Sequence, residues 1–133
     1  MTSFRIEPFD LKKHYAIIAK WWFDRYRQAL DLGLIPRTGF IAISKDKPIA
    51  AAWLLLTNSQ MAVLSYIVSN PKAGLKEISV AVSALIQTAE EMAKASGNTF
   101  LLSVSTSTGL SKRLKKRFNF SPWRMHELVF KKI

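Results

Sequence analysis

Apolar and polar positions follow two rhythms along this chain, and the switches between them divide it into strands and helices. Residues 4–8 alternate with period two and predict a first strand. Asp10 can cap a helix over 11–29, with Tyr15, Ile18, Trp22 and Tyr26 recurring at helical spacing as its core face. Gly33 and Pro36 end that region, and Thr38-Gly39 leads into a strand over 40–44. Lys45-Asp46-Lys47-Pro48 reads as a turn, although it lacks the favoured Asn-Gly or Asp-Gly pair. Strands over 49–57 and 61–69 follow, separated by a turn at Asn58-Ser59-Gln60. These three strands are apolar on both faces near their middles, as in a central sheet covered on both sides. Asn70-Pro71 breaks the pattern. A helix over 76–95 then carries Ile78, Val82, Leu85, Ile86, Ala89 and Met92 on one face, with Gly97 as its stop. The remainder predicts a buried strand over 100–105, a basic amphipathic helix over 110–118 anchored by Leu110, Leu114 and Phe118, and a last strand over 123–131.

The predicted order is β-α-β-β-β-α-β-α-β, an α/β (α+β sandwich) class with a mixed central sheet and helices on both faces. The helix between the strands 61–69 and 100–105 is a crossover, which predicts one parallel pair in an otherwise antiparallel sheet. The 133 residues fit a single domain over 1–133, and 49% hydrophobic residues with 22% charged ones supply a core and argue against wholesale disorder.

Composition removes several chemistries. With no cysteine there is no disulfide framework, thiolate nucleophile or cysteine-built zinc site, and with only His14 and His126 no histidine-rich metal site, so no metal is expected. The start carries acid and proline where a secretory signal needs an apolar core, and the longest apolar run, 49–56, is far below the ~20 residues a bilayer requires. The expectation is a cytoplasmic protein without a membrane partner, or one packaged in a particle made in the cytoplasm.

Charge adds an anionic partner to the picture. The formal net charge is +11, and the bases concentrate late, in Ser111-Lys-Arg-Leu-Lys-Lys-Arg117 and at Lys131 and Lys132. A nucleic-acid backbone, a phosphorylated cofactor and an acidic protein all fit such a face, as does plain solvation. No helix-turn-helix, zinc-finger or RNA-recognition signature is present, which argues against sequence-specific reading of nucleic acid.

The element order, the segment Leu64-Ser-Tyr-Ile-Val-Ser-Asn-Pro71 before a helix, and Leu102-Ser-Val-Ser-Thr-Ser-Thr108 leading into the basic helix together resemble the GNAT superfamily, the Gcn5-related N-acetyltransferases. More narrowly, Trp21-Trp22, Thr38-Gly39-Phe40 and Ile67-Val-Ser-Asn-Pro71 resemble small GNAT-like proteins of tailed phages. The resemblance implies acetyl-CoA, or another acyl-CoA, as cofactor. Its pyrophosphate would lie on backbone N–H groups at a helix N-terminus, where unpaired donors and the helix dipole meet an anion. The residues implied there are Lys72, Ala73, Gly74, Leu75 and Lys76, with backbone N–H groups of Ile67 and Val68 polarising the acyl carbonyl at a sheet bulge. The motif is degenerate: Gly74 stands at the family's arginine, Leu75, Glu77 and Ser79 stand at glycine positions, and Glu77 brings a carboxylate towards the pyrophosphate. Counting back from Phe120, Lys115 replaces the tyrosine that protonates the leaving thiolate in active relatives, Thr108 falls at the family's asparagine, and Asn119 replaces a glycine.

Acyl transfer to an amine also needs a base and an acid. Ser65 and Tyr66 lie on the implied cofactor strand and are the candidates beside Lys115, with packing as the alternative role for Tyr66. Ser103 and Ser105 share one face of the next strand. His126 and Glu127, as strand neighbours, face opposite ways and form no dyad. Trp21 and Thr38 are candidates for the acceptor pocket. Trp22 is expected in the core, and Trp21, about 100° round the helix, exposed. Three functions follow: an acyl-CoA-dependent N-acyltransferase of an unknown amine, a silent GNAT-like binding or virion-associated protein that contacts nucleic acid through its basic face, and a phage enzyme acylating an amine on modified DNA.

Overall fold

The computed structural model describes residues 4–103, 108–122 and 131–133. Their elements run β1 (Arg5–Pro8), α1 (Leu11–Tyr26), a 3-10 turn (Leu32–Leu34), β2 (Gly39–Ser44), β3 (Lys47–Leu56), β4 (Met61–Ser69), α2 (Leu75–Ala95), β5 (Phe100–Ser103) and α3 (Thr108–Arg117). Among the described residues the sheet has five strands, in the sequential order β1-β2-β3-β4-β5. The first four are antiparallel neighbours, and β5 lies parallel to β4, with α2 as the crossover that the sequence predicts. The last predicted strand, 123–131, and the predicted end of β5 at 104–105 lie outside the described residues, except for Lys131.

Helix α1 starts as expected and stops early. The Asp10 Oδ1 accepts from the N–H groups of Lys12 at 3.0 Å and Lys13 at 3.4 Å, capping two orphan donors. Arg27 then turns left-handed, with φ 54°, and its N–H closes on the Phe23 carbonyl. The helix therefore ends at Tyr26 and does not reach 29. Its buried face is His14, Ile18 and Trp21, rotated from the predicted Tyr15, Ile18, Trp22 and Tyr26. The cause is His14, a residue that a hydropathy pattern passes over. Its ring stacks on Phe9 at 5.7 Å, and its Nδ1 accepts the Asp10 N–H at 3.0 Å. With His14 turned inwards, Trp21 follows it into the core at 5% exposure. The expectation of an exposed Trp21 in a pocket wall is thus corrected, and Trp22 takes the half-buried position.

The β2–β3 hairpin is tighter than predicted. Ser44 pairs with Lys47, which leaves Lys45 and Asp46 as a two-residue turn with φ values of 51° and 63°. That is the primed turn whose twist suits a hairpin, built here without its usual Asn or Gly. Strand β3 consequently begins at Lys47.

Alternation along the strands distributes the core into two layers. One layer holds Ala42, Ala50, Ala52, Leu54, Ala62 and Leu64 against Ala81, Val82, Leu85, Ile86 and Ala89 of α2 and Leu114 of α3. The other holds Ile41, Ile43, Ala51, Trp53 and Val68 against Ile18 and Trp21 of α1. Helices therefore cover both faces. Alanines meet on both sides of the α2 contact, so helix and sheet approach closely. Ala93 rather than the predicted Met92 completes that face, and Met92 is exposed.

Two bulges reset the alternation. Between Ala42 and Ile43 the register slips by one residue on β3, so Ile49 and Ala50 join the same layer. Between Ala52 and Leu54 it slips on β4, where Ser65 and Tyr66 together oppose Trp53. One extra residue exchanges the faces of everything beyond it. Ala62 and Leu64 face α2, whereas Tyr66 and Val68 pack in the α1 layer.

Candidate functional site

The β4 bulge is the centre of the site. It turns Tyr66 towards two tryptophans: the ring meets Trp22 edge-on at 5.4 Å and Trp53 at 6.5 Å. The Ser65 hydroxyl donates to the Trp53 carbonyl at 3.4 Å, tying the bulge to β3. The backbone direction follows from the ladder. Asn70 N–H donates to the Ile49 carbonyl, and antiparallel alternation then points the Val68 N–H at β3 and the Ile67 N–H at the opposite edge. On that edge the described pairing with β5 ends at Leu64 and Ser103.

Two concavities meet at this bulge. The first is a narrow cleft of about 20 Å³ between Ser65, Tyr66 and Ile67 on β4, Ser103 on β5, Leu110 on α3 and the rings of Trp22 and Tyr26. That is room for about one water. The second is an open groove of about 600 Å³ on the other side. The chain segment 33–38 and the end of β3 at 54–56 form its walls, and Ser65 and Tyr66 line it as they line the cleft. Thr38, expected at an acceptor pocket, lines this groove, and its carbonyl accepts the Leu54 N–H at 2.9 Å.

The loop from β4 to α2 is closed by its own side chains. The Asn70 Oδ1 accepts the Lys72 N–H at 2.9 Å, and the Asn70 carbonyl accepts the Ala73 N–H at 3.1 Å. The Asn70 amide holds the Pro48 carbonyl at 3.2 Å. Glu77 folds back so that its Oε1 accepts the Gly74 N–H at 3.4 Å. Gly74 is the N-cap and has no side chain to offer, so the first-turn N–H groups of α2 lack a side-chain cap from it. Lys72, Leu75 and Lys76 are exposed around this helix end, and Ala73 packs against the α2 layer of the core.

The donor set tests the fit of an acyl-CoA diphosphate. A helix N-terminus with open first-turn donors, flanked by two exposed lysines, suits such an anion. Glu77 opposes it. Gly74 presents an open approach, since a Cβ there would meet only the Glu77 Oε1 at 3.7 Å.

Helix α3 packs through Leu114, buried at 4%, and the Arg113 guanidinium donates to the Ser79 carbonyl of α2 at 3.3 Å. Lys112, Lys115, Lys116 and Arg117 are exposed. Lys115 lies five residues beyond the cleft-lining Leu110, about 140° round the helix. The structure therefore does not bring Lys115 to the cleft, which corrects its expected place as the acid. Thr108 opens α3, and its side chain lies outside the described residues, as do Ser105, His126 and Glu127. Sequence reasoning missed Trp22 and Tyr26 as cleft walls, the leucines of the groove and Arg37. An i, i+4 aromatic pair was visible for the first two, but the pattern assigned them to the core.

No protein-family model matches the chain, and no curated protein matches it. Solved structures do. An aminoglycoside N-acetyltransferase in complex with CoA is 14% identical, over 100% of this chain and 97% of that one, with a TM-score of 0.68. A GNAT-family acetyltransferase from Streptococcus pneumoniae is 10% identical, over 99% and 98%, with a TM-score of 0.68. The chain has the GNAT fold. Ard1 from Thermoplasma volcanium is also similar, 12% identical over 90% and 83%, with a TM-score of 0.69. The GNAT fold thus accounts for the mixed sheet and its three flanking helices, and at such identities the likeness is one of fold.

Proposed function

We propose that the protein is an acyl-CoA-dependent N-acyltransferase. The observation that carries this reading is the β4 bulge, where Ser65 and Tyr66 line both a cleft and a groove and Ile67, its N–H turned away from β3, lines the cleft. Acyl-CoA, when bound, supplies the acyl group as a thioester. The Ile67 N–H then donates to a carbonyl oxygen held in the cleft, where charge develops during acyl transfer. Lys72 and Lys76, with the open donors of Leu75 and Lys76, hold the diphosphate. Tyr66 and Ser65 stand where a proton would pass from an amine in the groove to the sulfur of CoA, which would leave as the free thiol. The cleft must widen to admit a thioester arm, and Trp22 and Tyr26 are the side chains that move. A cytoplasmic location belongs to this reading, and among the described residues no helix is long and apolar enough to cross a membrane.

Calorimetric titration with acetyl-CoA tests it, with a Lys72→Glu, Lys76→Glu variant alongside. Binding that the variant weakens is expected. No heat at millimolar cofactor overturns the reading.

A second reading is favoured by the self-closed loop and the exposed bases of α3: a silent GNAT-like protein that binds nucleic acid through that face. Salt-sensitive binding of random duplex DNA without cofactor binding selects it.

A further inference from the structure

The groove has a chemical character of its own. Leu34, Ile35, Pro36, Leu55 and Leu56 give it apolar walls, and Leu34, Leu55 and Leu56 are each more than 40% exposed. Its volume of about 600 Å³ matches a small organic ligand. Among the described residues one charged side chain lines it, that of Arg37, and it joins no ion pair with them. No carboxylate lines it among the described residues. Asp31, at the head of the 3-10 turn, keeps its charge while its Oδ1 accepts the Gly33 N–H at 2.8 Å, and it does not line the groove. A polycation entering here would meet leucines and a guanidinium, within a chain of net charge +11. An amine with an apolar body and one anionic group meets complementary partners at both ends.

We infer that this groove takes a small amine with an apolar body and a single carboxylate, such as a hydrophobic amino acid or dipeptide, with Arg37 pairing the carboxylate and selecting against polycationic amines. A guanidinium suits this role because its forked donors match both carboxylate oxygens. The leucine walls hold the body, and the amine then lies towards Tyr66, beside the cleft. Calling this ligand an acyl acceptor rests on the acyltransferase reading; its binding does not.

The test is therefore a binding experiment without cofactor. Phenylalanine, leucyl-leucine, the amides of both and the polycation kanamycin are titrated by NMR. The two free acids are expected to bind, with shifts at Leu55 and Leu56, and their amides to bind about fivefold more weakly. Arg37→Gln should weaken the acids about fivefold and leave the amides unchanged. Leu55→Glu, at an exposed position, should weaken the acids further by placing a carboxylate in the wall. The inference is overturned if kanamycin binds more tightly than the acids, if Arg37→Gln has no effect on them, or if no acid binds at millimolar concentration. Binding of the acids without acyl transfer, in the presence of acetyl-CoA, overturns the acyltransferase reading and leaves this inference standing.

Discussion

His14 is one residue whose setting has a measurable signature. Burial pushes its imidazole below the ordinary value of 6.5, Lys13 adds to the effect, and Glu7 and Asp10 oppose it. The unfolded imidazole thus takes up a proton at a higher pH than the folded one. The stability held by neutral His14 is full above 6.5 and is lost as pH falls below it towards the folded value. Protonation also removes the Nδ1 lone pair that accepts the Asp10 N–H. Denaturant midpoints between about pH 7 and pH 5 should therefore fall with pH in the native protein and fall less in His14→Gln. Gly39 gives a second test. It faces Trp53 across the β2–β3 ladder, and a Cβ there would lie 2.3 Å from Trp53 Cδ1. Trp53 is 1% exposed, and a Cβ on Gly39 would also lie 3.1 Å from the Phe9 Cβ. Gly39→Ala should cost about 3 kcal/mol and lower Tm by roughly 10 °C in a thermal melt.

At the scale of elements, the α2 N-terminus joins stability to function. Glu77 caps Gly74 and, on the acyltransferase reading, brings its carboxylate beside the Leu75 and Lys76 donors proposed for the diphosphate. Glu77→Gln removes its charge while keeping an oxygen for the cap. Acetyl-CoA affinity should rise by roughly three- to fivefold, as read by calorimetry, and the gain should shrink in high salt. Strand order, the crossover and the extent of β4 at 61–69 were legible in the sequence, because apolar runs and turn residues mark them locally. The register was not. A bulge is one residue of slip between strands, and nothing in Leu64-Ser65-Tyr66-Ile67 announces that Tyr66 changes faces. The face of α1 was misread for a related reason: a buried histidine satisfied by a backbone N–H looks polar in a hydropathy pattern. The residues of the loop from β4 to α2 are plain in the sequence. Its closure by Asn70 and Glu77 depends on where those side chains fold.

For the whole molecule, the charge of +11 sets conditions on stability. Among the described residues α3 carries five bases and no acid. Like charges within two turns repel, so moderate salt should raise Tm by screening them. A Tm that falls steadily from low to moderate sodium chloride would contradict this. The candidate site itself was only half legible at this scale. Ser65, Tyr66, Ile67 and Thr38 meet around the bulge, while Lys115 and Trp21 point elsewhere, because helix rotation decides which side chains converge.

The sequential strand order also sets a timetable. Strands β1 to β4 pair only with chain neighbours through the meander, apart from the span of α1, whereas β5 reaches β4 only after all of α2 has been laid down. Long-separated parallel pairing closes slowly because its loop entropy is lost before its contacts form. The cleft takes a wall from Ser103 and Leu110, so it should close only after the β2–β4 meander has formed. Pulsed hydrogen exchange should show protection on β2 and β3 before β5, and the cleft would then be younger than the meander it borders in each newly folded molecule.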